Sequence, residues 1–358
     1  MSTKNALPLG LLEATRLTQA GRLVEATAAI QHLLRQHAMR EPVNDPASGR
    51  IIDAEFSSVE ESRADARQPH GQPGQFISAS FGNEAGTRPY KLYIPTVYAG
   101  KPLPMIVMLH GCTQTPDDFA AGTRMNALAE ERGCFVLYPA QTPAANRSRC
   151  WNWFKRGDQR RDKGEPAIVA GMTRECMSRY AIDPSRVYVA GLSAGGAMAA
   201  VLAAAYPDLY AALGVHSGLA VGSAHDVQSA FAAMQGTSAA RSAVPERACG
   251  SVPIIVFHGD RDTTVHPRNG EQVIFESVDP AAASSVEQGQ VPGGHPYTRT
   301  VHRDSTGRIV LEHWLVHGAG HAWSGGSPSG SYTDPKGPDA GRAMLRFFDQ
   351  IGRADSIP

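Results

Sequence analysis

The sequence predicts an α/β fold, a mostly parallel central sheet with helices on both faces, and three observations predict it. Apolar runs of strand length, Met105-Ile106-Val107-Met108-Leu109 and Ile254-Ile255-Val256-Phe257 among them, are unbroken rather than alternating, as in strands covered on both sides. These runs alternate along the chain with segments of helical length, the order expected of crossover units. One of them, Val187-Tyr188-Val189-Ala190, passes through Gly191-Leu192-Ser193-Ala194-Gly195 directly into Gly196-Ala197-Met198-Ala199-Ala200-Val201-Leu202, a strand, a sharp turn and a buried helix in succession.

Residues 11–37 have the pattern of two short helices broken at Ala20-Gly21, with Leu23, Thr27, Ile30 and Leu34 on one apolar face. A lone helical pair cannot bury itself. Residues 1–39 are therefore expected to form a hairpin that docks on the main domain, on a second copy of the chain or on an apolar surface. Residues 40–74 are rich in Pro, Gly, Ser, Asp, Arg and Glu without sustained period, and read as a partly disordered linker with room for a short edge strand at Ile51–Phe56.

The main domain is expected over 75–358. Phe76–Phe81 and Tyr90–Ile94 flank a Gly-Asn-Glu-Ala-Gly turn and read as an antiparallel hairpin. The strand Met105–Leu109 follows, then a helix over Asp118–Arg132, a strand at Cys134–Tyr138 and a helix over Ala167–Tyr180. After the turn at Ser193 come strands at Ala212–Val215, Ile254–Phe257 and Ile309–Val316, and a closing helix at Gly341–Ile351. In such a sheet the functional groups belong on loops at the carboxyl ends of the strands.

Composition removes several classes of function. The 358 residues carry 34 Lys and Arg against 34 Asp and Glu, so no global field draws in nucleic acid or an acidic membrane. No run of about 18 apolar residues is long enough to span a bilayer. Met1–Gly10 lacks the apolar core and small-residue cleavage site of a signal peptide, so the cytoplasm is the expected location. The five cysteines, Cys112, Cys134, Cys150, Cys176 and Cys249, lack metal-type spacing and read as free thiols in a reducing compartment. No metal or organic cofactor is expected.

The Gly-x-Ser-x-Gly pentapeptide is weak alone, since chance supplies on the order of a few tenths of one per chain of this length. Its context strengthens it. A serine hydroxyl attacks poorly at neutral pH unless a histidine takes its proton and a carboxylate orients that histidine. Downstream stand Asp262, in His258-Gly259-Asp260-Arg261-Asp262 after a buried strand, and His321, on the glycine-rich stretch Gly318-Ala319-Gly320-His321. Asp260 is the rival acid, while His313 and His317 lie in or beside a strand and read as structural. Side chains at Gly191 or Gly195 would collide where strand and helix cross. Two N–H donors are needed for an oxyanion: Ala194 supplies one, and the loop Leu109-His110-Gly111-Cys112-Thr113-Gln114 supplies the other at Cys112. His110 is expected to brace that loop, and a bridge from Cys112 to Cys150 is the alternative to two free thiols.

Trp151, Trp153 and Trp323 fall in segments assigned near these residues. They read equally as a flat apolar wall of a binding cleft and as core. Asn152 reads either as a hydrogen-bond partner of substrate or as a loop brace, and Arg156–Glu165 as a solvated loop that could rim the cleft.

Leu109–Gln114, Cys150-Trp151-Asn152-Trp153, Ala190–Met198, His258–Asp262 and Gly320-His321-Ala322-Trp323-Ser324-Gly325-Gly326 together resemble the poly(3-hydroxybutyrate) depolymerase family of esterases, which neighbours feruloyl and acetylxylan esterases. The resemblance covers roughly residues 75–351. It implies the α/β-hydrolase fold, Ser193 as nucleophile, Asp262 and His321 as its partners, and Cys112 with Ala194 as oxyanion donors. It favours Asp262 over Asp260, because the His-Gly-x-x-Asp-x-x-Val pattern of related hydrolases uses the second acid. The substrate expected is a polyester or oligoester, with His110, Trp151, Asn152, Trp153 and Trp323 as candidate substrate contacts. With no leader or added binding domain recognised, the resemblance is to the intracellular branch, and residues 11–37 are a candidate contact for a granule or a second copy.

Overall fold

The computed structural model describes residues 74–237, 252–278 and 282–354. The hairpin expected over 1–39, all but the last residue of the linker expected over 40–74, and Cys249 lie outside the described residues.

The sheet has ten strands in the order β1-β2-β4-β3-β5-β6-β7-β10-β9-β8. They are β1 (Gln75–Asn83), β2 (Gly86–Ile94), β3 (Leu103–Leu109), β4 (Phe135–Pro139), β5 (Ile182–Leu192), β6 (Ala212–His216), β7 (Ile254–Gly259), β8 (Ala283–Gln290), β9 (Pro296–Arg303) and β10 (Ile309–Val316). From β4 to β10 the pairings are parallel, and an antiparallel pair closes each edge. The sheet is thus mixed. The first hairpin follows the expected alternation, whereas β8 carries almost wholly exposed side chains and has no apolar pattern by which to be seen.

Alternation explains how one sheet feeds two cores. Met105, Val107 and Leu109 of β3 point to one face with Val187 and Val189 of β5; Ile106 and Met108 point to the other with Tyr188 and Ala190. Helices α1 (Pro116–Thr123), α2 (Met125–Arg132) and α7 (Ala340–Ala354) bring Phe119, Met125, Leu128, Phe347 and Phe348 to the second face. Helices α3 (Gly164–Arg179), α4 (Ala194–Ala205), α5 (Val227–Met234) and α6 (Arg268–Ser277) cover the first. The helix expected over 118–132 is broken at Arg124, whose left-handed φ of 55° ends α1 and starts α2. Among the described residues no helix is long and apolar enough to cross a membrane.

Candidate active site

Ser193 sits between β5 and α4 with φ 58° and ψ −121°, a conformation serine rarely holds. The two glycines make the turn possible. A Cβ on Gly191 would strike the Gly195 carbonyl, and one on Gly195 would strike the carbonyl oxygens of Leu109 and His110. The second clash shows that the start of α4 lies against the end of β3, so the loop after β3 passes beside Ser193. Among the described residues, the turn and loop hydrogen bonds include none from the N–H groups of Cys112 and Ala194. These two N–H groups flank the serine.

The Cys112 loop is braced from behind. Gly111 N–H donates to Gln114 Oε1 at 2.9 Å. His110 Nε2 accepts the Gln141 N–H at 3.1 Å, so its Nδ1 carries the proton and donates to Gly111 O at 2.7 Å. Burial lowers the His110 pKa to about 4, which keeps the ring neutral and this pattern intact. Cys112 is bonded to Cys150, which corrects the reading of these two as free thiols; Cys134 and Cys176 are buried thiols, as expected. Next to Cys150, the Asn152 N–H and side-chain amide donate to Glu165 Oε2 and Oε1 at 2.7 and 2.6 Å, and Gln141 Nε2 also donates to Glu165. Burial raises the Glu165 pKa, against hydrogen bonds from Asn152 and Gln141 that lower it. Sequence reasoning missed Glu165, because its stretch is polar and reads as solvated; only its place at the start of a helix marks it.

The acid–histidine half comes from the ends of β7 and β10. His321 Nδ1 lies 2.7 Å from Asp262 Oδ2. The carboxylate must accept there, so Nδ1 carries the proton and Nε2 is left with a lone pair. Asp262 is fixed by N–H groups of Thr264 and Val265 at 2.9 and 2.8 Å. Burial pushes its carboxyl up, but hydrogen bonds from His258, His321 and the Val265 backbone outweigh that and hold it ionised, well below the usual range. The rival Asp260 pairs instead with His317, at 3.0 Å, and accepts the Gly318 N–H at 2.7 Å.

His216, also missed from sequence, ties the halves together. Its carbonyl accepts the Ser193 N–H at 2.9 Å, and its Nε2 accepts the N–H of Ser324, three residues past His321, also at 2.9 Å. Burial, with the nearby charges of His258 and His321, lowers its pKa to about 3.

The candidate substrate contacts lie where the core and loop-brace readings of them put them. His110, Trp151, Asn152, Trp153 and Trp323 are all at most 5 % exposed and face inward. Trp151 Nε1 donates to His110 O at 3.1 Å, Trp153 packs edge-on against Phe154, and Trp323 packs against Phe119 and stacks on His216. Indoles of this size gain more from core burial than from a wet rim. Sequence near a strand end does not tell which way such a side chain turns.

A serine at a strand–helix elbow over parallel strand ends, in a sheet whose later strand ends carry a paired acid and histidine, defines an α/β-hydrolase-like protein. An acetyl xylan esterase from Aspergillus awamori shares this fold with a TM-score of 0.58, at 22% identity over 78% of this chain and 100% of that one. Residues 88–279 match the Esterase PHB depolymerase family, and the chain belongs to it. It is 32% identical over 259 residues to poly(3-hydroxyalkanoate) depolymerase C of Paucimonas lemoignei, a match covering 68% of this chain and 60% of that protein's length. It is 30% identical over 235 residues to a probable acetylxylan esterase A of Aspergillus clavatus, covering 62% of this chain and 75% of that protein.

Proposed function

We propose that this protein is a serine carboxylester hydrolase that cleaves poly- or oligo(3-hydroxybutyrate) esters through an acyl-enzyme on Ser193. The observation that carries the reading is the strained Ser193 with the N–H groups of Ala194 and the Cys112 loop beside it, and the Asp262–His321 pair at the ends of β7 and β10, across β6 in the same sheet. His321 Nε2 takes the Ser193 proton as Oγ attacks the ester carbonyl. Cys112 and Ala194 N–H groups hold the tetrahedral oxyanion, each worth about 10²–10³ in rate. His321 then protonates the leaving alcohol, and water repeats the cycle on the acyl-enzyme. Asp262 keeps the imidazole in the tautomer this requires and stabilises its charged form.

The polyester substrate is supported by the family and by the depolymerase relative, whose name carries it. The relative named as a probable acetylxylan esterase supports a second reading, an esterase of acetylated or feruloylated sugars with the same residues. Product analysis after incubation with amorphous polymer granules, hydroxybutyrate trimer and aryl or acetyl sugar esters separates the two. The wild type is expected to be fastest on the hydroxybutyrate esters, with Ser193→Ala inert on all. If the wild type matched Ser193→Ala everywhere while still binding granules, the protein would be a polyester-binding protein and no enzyme. We further propose that residues 11–37 supply granule contact or self-association, and that the protein is cytoplasmic. A chain starting at Gln75 that kept both oligomeric state and granule binding would rule out the first.

A further inference from the structure

Left-handed backbone at non-glycine residues is concentrated around the site. Thr113 (φ 68°) and Arg149 (φ 50°) each adjoin one end of the Cys112–Cys150 bond, Ser193 (φ 58°) is the elbow, and Ser217 (φ 48°) follows His216. These have evident local reasons. Tyr332 (φ 52°) has none of that kind. A bulky aromatic residue in this region is an outlier, and such strain persists where the surroundings impose it. Packing does not compensate it, since Tyr332 is 47% exposed.

The surroundings impose it from two sides. The Tyr332 carbonyl accepts the Trp323 N–H at 2.7 Å, on the loop that carries His321. Its neighbour Ser331 is pinned to the Cys112 side: Ser331 N–H donates to Asp118 at 2.8 Å, and Ser331 O accepts from Gln114 Nε2 at 3.1 Å, the same amide whose Oε1 holds Gly111. The Tyr332 hydroxyl lies 3.3 Å from Thr113 Oγ1. Thr113 donates its own proton to Cys112 O at 2.6 Å, so the tyrosine is the donor in that pair. The ring therefore spans from the loop with the candidate oxyanion donor to the loop with the candidate base, and it does so at the surface.

We propose that Tyr332 is a substrate-binding residue that sets specificity, its exposed ring forming the wall along which an extended apolar ester chain lies. With its hydroxyl proton spent on Thr113, the ring offers the substrate an apolar face. The buried polar side chains behind the Cys112 loop, His110, Gln114, Gln141 and Asn152, spend their hydrogen bonds within the protein. The assignment rests on the esterase reading above.

The test is the ratio of kcat/KM on hydroxybutyrate trimer to that on p-nitrophenyl acetate, measured with Tm for wild type, Tyr332→Phe and Tyr332→Gly. Losing the ring contact should lower the ratio about 10- to 100-fold in Tyr332→Gly, mainly through KM on the trimer. Glycine accepts positive φ, so Tm should hold or rise. Tyr332→Phe keeps the ring and should keep the ratio within about threefold. An unchanged ratio in Tyr332→Gly overturns the assignment, and so does a ratio that falls only together with a large drop in Tm. Trimer and acetate turned over no faster by wild type than by Ser193→Ala would instead overturn the esterase reading, and this assignment with it.

Discussion

The two halves of the site are held by different means. Behind Cys112 stand a covalent bond and a buried polar cluster of His110, Gln141, Asn152 and Glu165, each under 5% exposed. The Asp262–His321 half is laced through backbone between the ends of β7 and β10: Asp260 N–H donates to Val316 O and Arg261 N–H to Ala319 O. An amide that stabilises developing charge works best when it cannot move, whereas a base must exchange a proton with substrate and water in every cycle. The contrast teaches that rigidity has been placed where no titration is needed. The proposed proton transfer falls instead to His321, whose side chain is 12% exposed against 0% for Asp262.

The largest test of that contrast is on the titrating side. Asp262→Asn should lower kcat about 10³- to 10⁴-fold by losing the required tautomer. Asp260→Asn, which breaks only the His317 brace, should stay within about tenfold of wild type. Equal losses in steady-state assays would erase the distinction between the two pairs. On the rigid side, Glu165→Ala leaves the Asn152 N–H and side-chain amide buried without the carboxylate they donate to, at about 1–3 kcal/mol each, while Gln141 Nε2 keeps Cys150 O. Urea unfolding should show a loss of that order, with Glu165→Gln milder.

Smaller effects sharpen the comparison. Replacing both Cys112 and Cys150 with serine should cost about 2–4 kcal/mol of stability by urea unfolding, the usual range for a disulfide, and should lower kcat more than KM. A reducing cytoplasm would keep this pair as thiols. Mass measurement after alkylation of protein taken directly from its native compartment therefore tests the cytoplasmic assignment too. The gentlest probe is pH. His110 and His216 have pKa values lowered to about 4 and about 3, below the ordinary 6.5. Their stabilising contribution is therefore complete above about pH 6.5 and is lost as pH falls toward those values. Between about pH 6 and 4.5 the unfolding free energy should drop by about 1.4 kcal/mol per unit for each such histidine. His216→Asn should flatten that slope.

What could be read in advance follows from what leaves a periodic or chemical trace. Buried strands such as β3 and β7 announce themselves by unbroken apolar runs, and Ser193 by the glycines its turn demands. Asp262 was separable from Asp260 by motif alone, and the coordinates pair it with His321. Strand β8 left no trace because solvent surrounds it, and the break at Arg124 because one left-handed residue does not disturb an apolar period. The tryptophans were ambiguous because an indole near a strand end is apolar whichever way it turns. Glu165 and His216 were illegible for a different reason: each acts through partners distant in sequence, which only the folded chain brings together.

Gly195 has a lasting consequence. Because its missing side chain lets α4 abut the carbonyls ending β3, the separation between the Cys112 and Ala194 amides is fixed once, when the chain folds. A rigid anion mimic such as a boronate should find its cradle already formed, and association should bring little conformational ordering with it. The same closeness narrows what mutation can explore: even one methyl group at residue 195 would have to prise helix from strand, so tuning of the site is left to side chains outside that contact.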